Sequence, residues 1–92
     1  MARREVAMVD RTLNAEGLLC PLPVLRARKA LAEMEAGAVL EVRATDPGAR
    51  KDFEAFAEAA GHDLLRSDEA DGVLIFHLRK ASPPSSAPRI SP

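Results

Sequence analysis

Between Val9 and Lys80 the chain alternates between two kinds of hydrophobic spacing, and no segment is long enough to fold alone. Residues Val39 to Thr45, "VLEVRAT", set Leu40, Val42 and Ala44 against Glu41, Arg43 and Thr45. A period of two is that of a strand with one buried face. Before it, Val24, Ala27, Leu31 and Met34 recur at helical spacing and predict a helix over Pro21–Glu35. Gly37 stands where a left-handed helix cap is expected. After it, Asp46-Pro47 predicts a second helix, with Asp46 as N-cap and Pro47 at the first position. Ala49, Phe53, Phe56, Ala57 and Ala60 form its apolar stripe, and Gly61 ends it. Short strands complete the series: Val9–Ala15 in front, a polar edge strand over His62–Glu69, an Asp71-Gly72 turn, and Val73–Lys80.

The order β-α-β-α-β-β predicts an α/β (α+β) two-layer sandwich, with two helices on one face of a mixed four-stranded sheet. Val73, Ile75 and His77 are expected on the uncovered sheet face, and Phe53, Phe56 and Phe76 in the core. His62 reads as a turn residue. The domain is placed at residues 9–81, between a flexible segment 1–8 and a disordered, Pro/Ser-rich tail 82–92.

Composition narrows the functional classes. The 92 residues are 47% hydrophobic but only 3% aromatic, so the core is aliphatic and modest. A formal net charge of −1 and the lack of stacking aromatics argue against nucleic-acid binding. No run approaches the roughly 18 apolar residues of a membrane span, and no secretory signal core is evident. The single cysteine can form no internal disulfide, and a reducing cytoplasm is the expected compartment.

That cysteine lies in "GLLCPLPVL", Gly17 to Leu25. A residue before proline is driven toward extended backbone, the conformation of an N-cap. Cys20 is thus expected to cap the first helix, with Pro21 in first position and Pro23 in the first turn. A thiol at the positive end of a helix is acidified, from about 8.5 into a range of roughly 3.5–7.5. Arg26, Arg28 and Lys29 add positive potential one to two turns along. The competing structural reading makes Cys20 a small buried hydrophobe at a strand-to-helix corner, which needs neither proline.

What such a thiol can do is limited by its company. One Cys and two His at no ligand spacing do not form a zinc site, and no metal or other cofactor is expected. A Cys-His hydrolase lacks its orienting group, and a dithiol oxidoreductase lacks its second cysteine. A lone activated thiol suits a carrier that holds a group covalently between two proteins. Sulfane sulfur, held as a persulfide, fits best. The alternative is a regulatory or interaction domain with an unreactive cysteine.

"LNAEGLLCPLPVLRARKAL" resembles the signature of the TusA/SirA-type sulfur carriers: a short strand, Gly, Cys-Pro-x-Pro and an Arg-Lys pair. "ATDPGARKDFEAF" resembles the family's second block, and the likeness runs over about residues 10 to 81. The resemblance implies the sandwich described above and a sulfurtransferase in which Cys20 takes persulfide sulfur from a cysteine desulfurase or rhodanese-like donor. It implies an acceptor relay protein serving tRNA thiolation, molybdenum-cofactor enzymes or dissimilatory sulfur transfer. It places Gly17, Pro21 and Pro23 around the cysteine, and partner contacts at Arg28 and Asp46. Lys29 belongs to the same basic helix cluster, and Arg50 is added because a cation in a first helical turn opposes the helix dipole. Leu19, Leu22 and Asn14 depart from the family pattern and make the site more apolar.

Overall fold

The computed structural model describes residues 9–81; the expectations for segments 1–8 and 82–92 lie outside the described residues. The elements follow the predicted order: β1 (Arg11–Ala15), α1 (Leu22–Ala32), β2 (Val39–Ala44), α2 (Ala49–Ala60), β3 (Asp63–Ala70) and β4 (Val73–Arg79). The strands form one mixed sheet in the order β1-β2-β4-β3. β1 runs parallel to β2, and β4 runs antiparallel to both β2 and β3. A parallel pair needs a crossover, and α1 supplies it.

Strand periodicity resolves as the alternation requires. Leu40, Val42 and Ala44 of β2 and Leu74, Phe76 and Leu78 of β4 are buried beneath the helices. Val73, Ile75 and His77 lie half-buried on the opposite face. That face is mixed rather than apolar, because His77 Nε2 meets Glu41 Oε1 at 2.9 Å across the β2–β4 pairing. From the helices, Pro23, Ala27, Ala30 and Leu31 and then Ala49, Phe53 and Ala57 turn inward, so both helices cover one face. The expected stripes are rotated slightly. Val24, Met34 and Phe56 flank the core half-buried, while Ala60 is exposed. Small residues at Ala27, Ala30, Ala49 and Ala57 let the helix backbones lie close to the sheet.

Helix ends differ more from expectation. α1 stops at Ala32, because Glu33 and Met34 turn back in bonds of 3.1 and 3.0 Å to Ala30 and Leu31 three residues earlier. That tighter spacing breaks the α-helical ladder. Gly37 is left-handed (φ +87°), but it serves the loop after the helix, donating to the Lys80 carbonyl at 3.0 Å. α2 begins at Ala49 with Gly48 as its N-cap. Asp46 instead closes a turn: its Oδ2 accepts the Gly48 N–H at 3.0 Å and its carbonyl the Ala49 N–H at 3.0 Å. An aspartate can bond the backbone two residues on as well as cap, and the sequence pattern is the same for both. β3 is an edge strand as expected, with a bulge between Leu64 and Arg66.

His62 follows the left-handed Gly61 that ends α2, and its Nδ1 accepts the Ala81 N–H at 2.8 Å. Burial, with help from the nearby Lys80 ammonium, lowers its pKa from 6.5, against a smaller opposing effect of Asp63. The unfolded chain therefore binds this proton more readily than the fold does. Stability from this group is complete above the unfolded value and declines as pH falls below it, levelling off below the folded value. Lowering the pH from about 7.5 to about 5.5 is expected to lower the melting temperature of the wild type more than that of His62→Gln, whose amide oxygen keeps the acceptor without titrating. Equal decreases in the two proteins would remove His62 as the cause.

Candidate functional site

At the end of β1 the chain is steered off the sheet by three bonds. Glu16 N–H reaches Asn14 Oδ1 at 2.9 Å, Gly17 N–H reaches Thr45 Oγ1 at 2.9 Å, and Leu18 N–H reaches the Ala15 carbonyl at 3.2 Å. Gly17 has φ +82°, a conformation that residues with a Cβ rarely adopt, which explains the glycine beside the Thr45 anchor. Next comes a turn from Leu19 to Leu22, closed by a 2.8 Å bond from Leu22 N–H to the Leu19 carbonyl. Its central peptide, Cys20–Pro21, is cis.

Cys20 therefore sits one residue earlier than predicted. Pro21 is the N-cap of α1 and Leu22 its first residue, with Pro23 second. The reason is the turn: Leu22 spends its N–H on Leu19 before the helix begins, and the first helical bond runs from Leu25 to the Pro21 carbonyl at 3.1 Å. Pro23 does a structural job as well, with its ring fully buried against the core. Leu22 is bonded and Pro23 lacks an N–H, so among the described residues Val24 is the first-turn amide of α1 without a backbone partner.

The sulfur is exposed, which rules out the buried-hydrophobe reading. Around it lies an apolar rim of Leu19, Leu22 and Leu25, with Leu19 70% exposed. Facing it is the start of α2. A Cβ placed on Gly48 would stand 3.7 Å from Cys20 Sγ and 3.1 Å from Asp46 Oδ2, so glycine leaves room where thiol and carboxylate converge. The Cys20 thiol donates a hydrogen bond to Asp52 Oδ2, from the first turn of α2. Asp52 is the site residue the residue-level reading missed. It stands in the second sequence block, but its bond to the thiol spans 32 residues, and only the packing of α2 beside α1 creates it.

The structure separates the proposed partner contacts. Asp46 closes its turn beside the thiol. Arg28 is exposed, along a shallow groove with Val24, Leu25, Phe56, Ala59 and Ala60. Lys29 lines a different depression, with Arg11, Leu13, Arg26, Ala30 and Glu33. Arg50 reaches away, its Nη1 donating to Ser67 Oγ on β3 at 3.1 Å, so it ties α2 to the edge strand. Among the described residues no group of three or more His, Cys, Asp or Glu could hold a metal ion, and no helix is long and apolar enough to cross a membrane.

Comparison with known proteins finds relatives over most of the chain. The family model described as sulfurtransferase TusA matches residues 11–80. The sulfur carrier protein TusA of Allochromatium vinosum is 50% identical over 76 residues, covering 83% of this chain and all of that protein. A putative sulfur carrier protein of Neisseria meningitidis serogroup A is 59% identical over 66 residues, covering 72% of this chain and 89% of its own. The crystal structure of a SirA-like protein from Desulfitobacterium hafniense superposes with a TM-score of 0.71 at 36% identity, covering 79% of this chain and all of that one.

Proposed function

This chain belongs to the sulfurtransferase TusA family of sulfur carriers, and from that premise we propose that it carries sulfane sulfur as a persulfide on Cys20. The observation that supports this most directly is the exposed Cys20 on a turn, with exposed Leu19, Leu22 and Leu25 close by in the chain. A carrier has to bring its sulfur into another protein's active site, and an exposed cysteine on a turn suits that.

Loading is an exchange in which no outside oxidant takes part. Cys20 Sγ attacks the terminal sulfur of a donor persulfide and loses its own proton. The new S–S bond forms as the donor's S–S bond breaks, and the electron pair leaves on the donor cysteine, which recovers a proton as a thiol. Cys20 is oxidised to Cys–S–SH as the donor is reduced. Delivery repeats the exchange, with an acceptor cysteine as the attacking group. The donor is a cysteine desulfurase or rhodanese-like protein and the acceptor a relay protein of tRNA thiolation, molybdenum-cofactor or dissimilatory sulfur transfer. The cytoplasm, where a lone thiol stays reduced, is the setting. Arg28 and the adjoining groove extend the contact surface beyond the rim, with Asp46 at the thiol's edge.

Incubation with a cysteine desulfurase and cysteine is expected to add the mass of one sulfur to the intact protein, removable by a thiol reductant. No mass gain from any persulfide donor would refute the reading. The rim gives a second expectation. Burying a leucine against a partner contributes about 1.5–3 kcal/mol, so Leu19→Ser should slow protein-dependent loading roughly tenfold or more. Its reaction with a small alkylating agent should stay at the wild-type rate. A parallel fall in both would mean that Leu19 shapes the thiol and not the docking surface.

A further inference from the structure

We propose that Asp52 holds Cys20 as a neutral thiol while the carrier is empty, so that only sulfur loading places an anion on this sulfur. The inference rests on the carrier reading above and concerns the regulation of that site.

The placement of Asp52 is the first ground. Its Oδ2 lies against Cys20 Sγ, where a thiol can donate a hydrogen bond and a thiolate has nothing to donate. A carboxylate beside a thiol also opposes a second negative charge there. The second ground is how the neighbouring donors are used. Leu22 N–H bonds Leu19, Pro23 has none, and the Gly48 and Ala49 N–H groups both go to Asp46. Asp46 itself adds a second carboxylate at the same corner. Of the cations in the first turn of α2, Arg50 is turned to Ser67 and Lys51 is exposed. Arg28 and Lys29 of α1 line grooves on that helix. Among the described residues, the charged groups that the structure sets against the sulfur include Asp52 and, across Gly48, Asp46.

Loading changes the balance. A persulfide is more acidic than its parent thiol, and its terminal sulfur lies one bond farther from Asp52. It releases its proton to solvent, and the repulsion between persulfide and carboxylate directs the terminal sulfur outward, toward an acceptor. Empty and loaded carriers then differ by one charge at the surface that partners meet.

The test is the pH dependence of iodoacetamide alkylation of the empty protein, which follows the thiolate. Asp52→Asn is expected to move the midpoint down by about one pH unit or more relative to wild type, while Asp52→Glu keeps it near the wild-type value. Asp52→Ala should move the same way as Asp52→Asn, which separates loss of charge from any new contact made by the amide. A midpoint that stays in place or rises in both neutral variants overturns the proposal. The measurement involves no sulfur transfer: a downward shift supports the thiol-holding role even if desulfurase loading fails, in which case the carrier reading alone falls.

Discussion

Cys20→Ser will emerge from incubation with a cysteine desulfurase and cysteine at its unmodified mass. The loss should be complete, because Cys20 is the only cysteine in the sequence and a serine hydroxyl cannot take up sulfane sulfur. The change should not disturb the fold. The sulfur is exposed on a turn, and its only described polar partner, Asp52, can accept a hydrogen bond from a hydroxyl as well as from a thiol. Wild-type and variant melting curves should therefore overlap within about 0.5 kcal/mol, as for most exposed substitutions. A serine variant that gains the same mass would move the acceptor atom elsewhere. One that melts much earlier would mean the thiol supports the corner.

The largest effect on stability is expected at Phe53. Its ring is fully buried and stacks on Phe76 with centroids 4.6 Å apart, at an angle of 29°. This contact pins α2 to β4, and the surrounding core is made mostly of alanine, valine and leucine. Small side chains cannot reach across a vacated ring, so the cavity should persist. Phe53→Ala is then expected to cost about 3–5 kcal/mol. That is a large share of the roughly 5–15 kcal/mol typical of a whole domain, and this one is small. Thermal unfolding should shift down by at least about 12 °C, if the variant folds at all. Phe56→Ala is the control, because Phe56 is half-buried at the rim of the core and against His62. Urea titration of both variants decides the matter: equal losses would show that the Phe53–Phe76 stack is not the keystone of this core.

Strands were legible in the sequence because their period leaves no choice of face. Once Leu40, Val42 and Ala44 point inward, the register with β4 fixes Leu74, Phe76 and Leu78 beside them. Of the candidate site, the sequence showed the turn that presents Cys20, through Gly17 and the prolines around the cysteine. Two things escaped. One was the phase of the helix starts, since a proline tells where an N–H is missing but not whether a turn precedes the helix. Leu22 and Asp46 each use a bond that could equally have capped. The other was Asp52, whose partner is far off in sequence; from the sequence it is one more charge on the wet side of an amphipathic helix.

The bulge between Leu64 and Arg66 sits on the strand that closes one side of the sheet, among Asp63, Arg66, Asp68 and Glu69. A kinked, charged border is a poor template for a second copy to zip onto. For a family of sulfur carriers, such a border leaves the β3 edge unsuited to pairing with its own copies.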